Sequence, residues 1–140
     1  VSAKERRILE CLRLQRRILR NVEVDSRTGC WLWAGRRNNC GYGVMTVRVK
    51  GYRSPRPIFA HRASWEAFRF RRMPRTRQAA HSLICTSRAC CNWAHIRATT
   101  ASHNRRDVER KKQLQKNGGT SWGRKIRLDW PPLHTVLACG

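Results

Sequence analysis

Near the start of the chain, Ile8, Cys11, Leu12, Gln15, Ile18 and Leu19 recur at the three- and four-residue steps of one helix face, while Arg6, Arg7, Arg13, Arg16, Arg17 and Arg20 crowd elsewhere. The spacing predicts a helix over residues 2–20, and Ser2 with Glu5 fits a capping box at its start. Such a helix docks on a core through its stripe, with phosphate contact by its arginines as a side effect. Asp25 to Gly29 reads as a turn, and Cys30-Trp31-Leu32-Trp33 as a short strand. From Tyr42 to Lys50 the period shortens to two, with Met45, Val47 and Val49 on one face and Thr46, Arg48 and Lys50 on the other. That strand is either half-buried with a solvated face, or it lies on a nucleic-acid groove through its basic face.

Pro55 and Pro57 break the next segment, and Ile58 to Phe68 enters a helix carrying Trp65 and Phe68. Arg69, Arg71, Arg72, Arg75 and Arg77 form a basic connector. Gln78 to Ile84 reads as a strand. Thr100 caps a helix that runs to about Lys116, where Asn117-Gly118-Gly119 would stop it. Residues 120–140 hold Trp122, Trp130 and Pro131-Pro132, show no period, and read as an extended tail. The chain therefore divides into a basic amphipathic helix (1–22), a body (23–116) and a tail (117–140), and its mixture of elements predicts an α+β fold.

Composition adds a partner to this picture. The 140 residues suit one domain, and 31 Lys and Arg against 8 Asp and Glu give a net charge of +23. That excess predicts a polyanionic partner with strongly salt-dependent affinity. No apolar run approaches the ~18–20 residues of a spanning helix, and no signal-peptide pattern is visible, so nucleic acid is favoured over a membrane. Seven cysteines, an odd number, at metal-like spacings argue against a disulfide scaffold. The expected setting is a reducing intracellular compartment (cytoplasm, nucleoid or an organelle) rather than secretion.

The densest chemistry lies in Cys85-x4-Cys90-x4-His95, followed after eight residues by Asn104. Two thiols and an imidazole at five-residue steps supply three arms of a tetrahedral zinc site. The fourth must come from elsewhere: Cys30 and Cys40 are candidates, and Cys91 is a local competitor whose side chain should diverge from that of its neighbour Cys90. Asn104 offers an oxygen donor for a hard cation. His81, just upstream, could take a proton from water.

In order and spacing, Gly29-Cys30-Trp31-Leu32-Trp33, Gly41-Tyr42-Gly43, Ala60-His61-Arg62, Cys85-x4-Cys90-x4-His95, and Thr100 through Asn104 with Arg106-Asp107 resemble the HNH endonucleases, in the branch related to His-Cys box homing endonucleases. The match spans about Gly29 to Lys112. The resemblance implies a zinc-stapled ββα-metal (His-Me) finger, with Cys30 as the fourth zinc ligand beside Cys85, Cys90 and His95. It implies that Asn104 binds a catalytic cation, usually Mg2+, and that the substrate is double-stranded DNA, as for a homing or phage-type endonuclease. Homing relatives are often dimers, because palindromic cuts need two sites; no interface signature is visible here, and a homodimer stays open.

Two positions depart from the family pattern. Its general-base histidine stands two residues before the first loop cysteine, where this chain has Leu83; His81 lies four before. Either Ser82 to Ile84 bulge and His81 reaches the site, or the base is lost and His81 is incidental. Trp93 stands where the family usually carries proline. If the site works, His81 accepts a proton from water, Asn104 and DNA oxygens hold one Mg2+, and Arg62 steadies a phosphate. His103 is an alternative base or ligand but reads as solvated. The competing expectation is a catalytically decayed, HNH-derived nucleic-acid binder, for example an RNA-bound component of a ribosome or other ribonucleoprotein.

Overall fold

The structure, a computed structural model, describes residues 1–83, 85 and 87–116. In chain order it contains α1 (Ala3–Leu19), β1 (Val22–Val24), β2 (Trp31–Trp33), β3 (Val44–Val47), β4 (Arg56–Phe59), α2 (Ala60–Phe68), β5 (Gln78–His81), a 3-10 turn (Trp93–His95), β6 (Ile96–Thr99) and α3 (Ala101–Lys116). The strands form three antiparallel pairs, β1 with β2, β3 with β4, and β5 with β6. The mixed α+β expectation holds. The tail at 120–140 and the stop at 117–119 lie outside the described residues.

The capping box at Ser2 is present: the Glu5 amide donates to the Ser2 hydroxyl at 3.1 Å, and the Ser2 amide donates to the Glu5 carboxylate at 2.7 Å. The stripe on α1 is rotated from the one the sequence predicts. Cys11, Gln15 and Ile18 are buried, with Leu14 and Leu19 packed beside the core, whereas Ile8 and Leu12 are 38% and 42% exposed. Gln15 explains part of the shift, because its amide donates to the Ala67 carbonyl at 3.0 Å and locks α1 onto the end of α2. The alternating strand is also shorter than expected. It closes at Val47 and leaves Val49 39% exposed, and Pro57 sits inside β4 rather than ahead of a helix. Pro57 is tolerated because β4 pairs only with β3, so one of its edges needs no donor.

The main core gathers Ile18, Trp31, Trp33, Met45, Ala60, Ala63, Ala67 and Cys91. Trp31 meets Phe68 edge to face at 5.3 Å, a favourable aromatic arrangement. Trp33 lies flat against two glycines: a Cβ on Gly43 would stand 2.6 Å from its Cγ, and one on Gly35 would stand 2.8 Å from its Nε1. Gly43 also accepts from the Ala60 amide at 2.8 Å, which sets the start of α2. Gly43→Ala should therefore lower unfolding free energy by about 1–3 kcal/mol through overpacking, read as an earlier urea midpoint at constant slope.

The β5–β6 hairpin lies between two helices. Register pairs Ala79 with Ala98 and His81 with Ile96, and Ala79, Ala98 and Ile96 pack with Trp65 of α2 and with Met73. Alternation turns Gln78 and Arg97 the other way, toward α3, where Asn104 donates to Gln78 at 3.0 Å and Asp107 pairs with Arg97.

Candidate metal centre and adjoining cavity

Three separate pieces of chain deliver the four metal-ligand candidates. Cys30 follows a turn in which Asp25 accepts from the Gly29 amide at 2.7 Å and from the Arg27 amide at 2.9 Å. Gly29 completes that turn at φ 73°, a conformation that suits glycine. Cys85 and Cys90 lie on the loop after β5, which is stitched to β2: the Trp33 amide donates to the Ala89 carbonyl at 2.9 Å, and the Cys91 amide donates to the Trp31 carbonyl at 2.8 Å. His95 ends the 3-10 turn. Buried Asn92 caps that turn by accepting from the Ala94 amide at 3.0 Å, and its own amide donates to the Gly29 carbonyl at 2.7 Å. One side chain thereby ties the Cys30 turn to the His95 turn. Trp93, the departure from proline, stacks on Phe68 at 6.3 Å while the turn still forms.

The ligand atoms of Cys30, Cys85, Cys90 and His95 all lie within 4.8 Å of one another, and all four residues are buried. The Cys30 and Cys85 sulfurs are 3.8 Å apart, and His95 Nδ1 lies 3.5 Å from the sulfurs of both Cys30 and Cys90. A tetrahedral zinc with bonds of ~2.3 Å to sulfur and ~2.0–2.1 Å to nitrogen has edges of about 3.8 Å and 3.5–3.6 Å. The donor set therefore fits such an ion in both chemistry and size. The described cysteines are free thiols, so no disulfide competes. Cys91 turns out of the cluster, its sulfur 3.3 Å from the Trp31 carbonyl, and burial pushes its thiol up to about 12. Cys40 is exposed and stands apart.

With protons alone the cluster cannot carry three thiolates. Hydrogen bonds from Cys85 and Cys90 hold the Cys30 sulfur far below the usual thiol range. The same bonds push Cys85 up to about 12 and raise Cys90 strongly. A bound cation would deprotonate all three.

His81 ends β5, and Ser82 and Leu83 lie beyond the strand. Its Nε2 is 2.7 Å from the Cys90 carbonyl. A carbonyl only accepts, so Nε2 carries the proton and the neutral ring keeps its lone pair on Nδ1. Burial lowers the His81 pKa below the ordinary histidine value, with Lys111 adding to the shift and the Cys90 bond opposing it. The ring lies 4.9 Å from that of His61 and 6.1 Å from that of Tyr42. Because the Ser82 amide bonds the His95 carbonyl at 2.7 Å, the ladder leaves the Ala79 and His81 carbonyls facing the free edge of β5. His61 Nε2 donates to the first at 3.1 Å and Lys111 to the second at 3.3 Å; Lys111 also donates to the Cys85 carbonyl at 3.0 Å.

At this edge a cavity of about 310 Å³ is lined by Tyr42, Phe59, His61, Arg62, Gln78, Ala79 and Asn104. Asn104 and Arg62 thus share a concavity. His81 lies beside His61, its ring tilted by 31°, but does not belong to the lining. Arg62 reaches the Met73 and Arg77 carbonyls at 3.3 and 3.4 Å and the Glu66 carboxylate at 3.5 Å, so it braces the connector as well. His103 is exposed, its amide on the Thr100 hydroxyl at 3.3 Å. The sequence alone assigns no role to His61, Gln78 or Lys111. Lys111 was findable, because Asn104, Asp107 and Lys111 recur at helical steps on the face that meets the hairpin.

His61 is 6% exposed, and its Nδ1 has no hydrogen-bond partner among the described residues. Burial first, then the nearby His81, lowers its pKa from 6.5 to about 4. Between those values the unfolded chain binds the extra proton, so stability is fully present above about pH 6.5 and falls as pH drops toward 4. The expected contribution is on the order of 3 kcal/mol. Urea unfolding of wild type and His61→Gln across this window should show a steeper acid loss in wild type, with cysteine protonation common to both.

Together these features define a small α+β protein stapled by a buried Cys3His cluster able to hold a structural metal such as zinc, beside a polar cavity. No described helix is long and apolar enough to cross a membrane. The chain is similar to Protein 2.8 of Escherichia phage T7, with 30% identity over 105 residues, covering 75% of this chain and 66% of the phage protein, just under two thirds of that relative's length. No family model and no solved structure matches the chain.

Proposed function

We propose that the protein is a zinc-stapled HNH-type endonuclease that hydrolyses phosphodiester bonds of double-stranded DNA. The observation that carries this reading is the 2.7 Å bond from His81 to the Cys90 carbonyl. The loop that bears the metal ligands holds the imidazole itself, although that imidazole stands two residues further from Cys85 than the family pattern has it. The order β5, metal loop, β6, α3 is that of a ββα-metal finger, which also supports the reading, and similarity to a phage protein suits a phage-type nuclease.

In this reading His81 Nδ1 takes a proton from water as the water oxygen bonds to phosphorus. The bond to the 3′ oxygen breaks, that oxygen keeps the electron pair, and it takes a proton from solvent. Asn104 would hold a divalent cation, which supplies positive charge beside the reacting phosphate. The described lining holds no carboxylate. The cation would therefore lean on substrate phosphate oxygens and water, as magnesium commonly does. Arg62 lines the same cavity and would steady the phosphate. His81 lying outside that lining favours the second reading, a nuclease-derived binder that no longer cuts.

Supercoiled plasmid with Mg2+ separates the two. Nicking lost in both His81→Ala and Asn104→Ala supports the nuclease; tight binding with no nicking by wild type supports the binder.

A further inference from the structure

The outer side of α1 carries a row of cations for which packing gives little reason. At ~100° per residue, Arg6, Arg13, Arg17 and Arg20 fall within an arc of about 60°, turned away from buried Cys11, Gln15 and Ile18. Arg17 donates to the Thr46 carbonyl. The side chains of Arg6, Arg13, Arg16 and Arg20 have no hydrogen-bond or ion-pair partner among the described residues.

Both flanks of the row are concave. On one side a hollow of about 500 Å³ is lined by Leu9, Leu12, Arg13, Arg16, Arg17 and Arg20 with Asn21. On the other, a groove of about 980 Å³ extends the cationic face to Arg48 and Lys50 beyond β3. The carboxylates lining that groove, Glu10 and Glu66, both face Arg7, at 3.1 and 3.9 Å. The row is thus left with its own repulsion, which a polyanion would relieve.

From Arg6 to Arg20 the row runs ~21 Å, a length over which duplex DNA carries about 12 negative charges. A membrane surface fits less well. An interfacial helix needs a broad apolar face to bury; Ile18, Leu14 and Leu19 of α1 are spent on the core, and the apolar side chains left outside, Ile8, Leu9 and Leu12, form only a narrow strip beside the arginines.

We infer that this face of α1, continued onto Arg48 and Lys50, is the surface that grips the phosphate backbone of duplex DNA. It names the binding surface for the partner proposed above and does not require cleavage.

The test is the salt dependence of affinity for a labelled random-sequence duplex. Arg13→Ala/Arg16→Ala/Arg20→Ala is compared with a control triple of equal charge loss, Arg27→Ala/Arg71→Ala/Arg75→Ala; all six side chains are exposed. Each lost phosphate contact lowers the slope of log K against log salt by ~0.9. The α1 triple should lose about 2–3 and the control almost nothing, at unchanged zinc content and melting. Equal losses in both triples, or an unchanged slope in the α1 triple, overturn the surface. So does an α1 triple that loses only its binding to phosphatidylserine vesicles. A protein that binds through α1 yet never nicks plasmid sinks the nuclease reading alone; one that nicks while the α1 slope is unchanged sinks this surface alone.

Discussion

Cys90→Ser is expected to unfold the body of the protein, whereas Cys91→Ser leaves it folded with its metal. The two residues are adjacent and both buried, so burial alone does not distinguish them. The Cys90 sulfur lies 3.5 Å from His95 Nδ1, inside the ligand cluster, while the Cys91 sulfur faces the Trp31 carbonyl. Structural zinc contributes ~10–16 kcal/mol in small domains, and whole domains are stable by only about 5–15 kcal/mol. Losing even part of the former exhausts the latter. Cys91→Ser disturbs one buried polar contact and should cost about 1–3 kcal/mol. Metal analysis with far-UV circular dichroism, before and after chelation, decides the matter. One bound zinc and a wild-type melt in Cys90→Ser would remove the metal staple, and with it the argument for the fold's lineage.

If the protein cuts DNA as proposed, replacing His81 by alanine should slow magnesium-dependent nicking by ~10²–10⁴-fold while the fold persists. The variant loses its bond to the carbonyl of buried Cys90, at a cost of about 1–3 kcal/mol. The pH dependence carries a definite sign. Because the His81 pKa lies below the ordinary histidine value, the ring is already neutral at pH 7. The rate should be flat through neutrality and fall only as acid protonates Nδ1. The check is an initial-rate profile on supercoiled plasmid, alongside Asn104→Ala. A His81→Ala variant with wild-type rate and profile would assign the base elsewhere.

The sequence was most legible where local chemistry dominates. The Ser2 box, the turn before Cys30 and the fixed steps through Cys85, Cys90 and His95 each follow from short-range geometry. Tertiary packing decided the rest. The Gln15 bond to Ala67 rotates the buried face of α1, so Ile8 and Leu12, apolar and correctly spaced, still end in solvent. The reach of His81 was undecidable from spacing, because its partner is a backbone carbonyl on a loop folded back from nine residues away. The motif around His61 does not reveal what the residue does, since nothing local says that α2 lays its imidazole along the free edge of β5.

The Cys30 sulfur meets a cluster whose other members lie 55 to 65 residues later. During translation the anchor at Cys30 therefore waits, unmatched, until the segment through His95 has left the ribosome. A metal held there would close a loop of 65 residues, and only a chain made through His95 can close it.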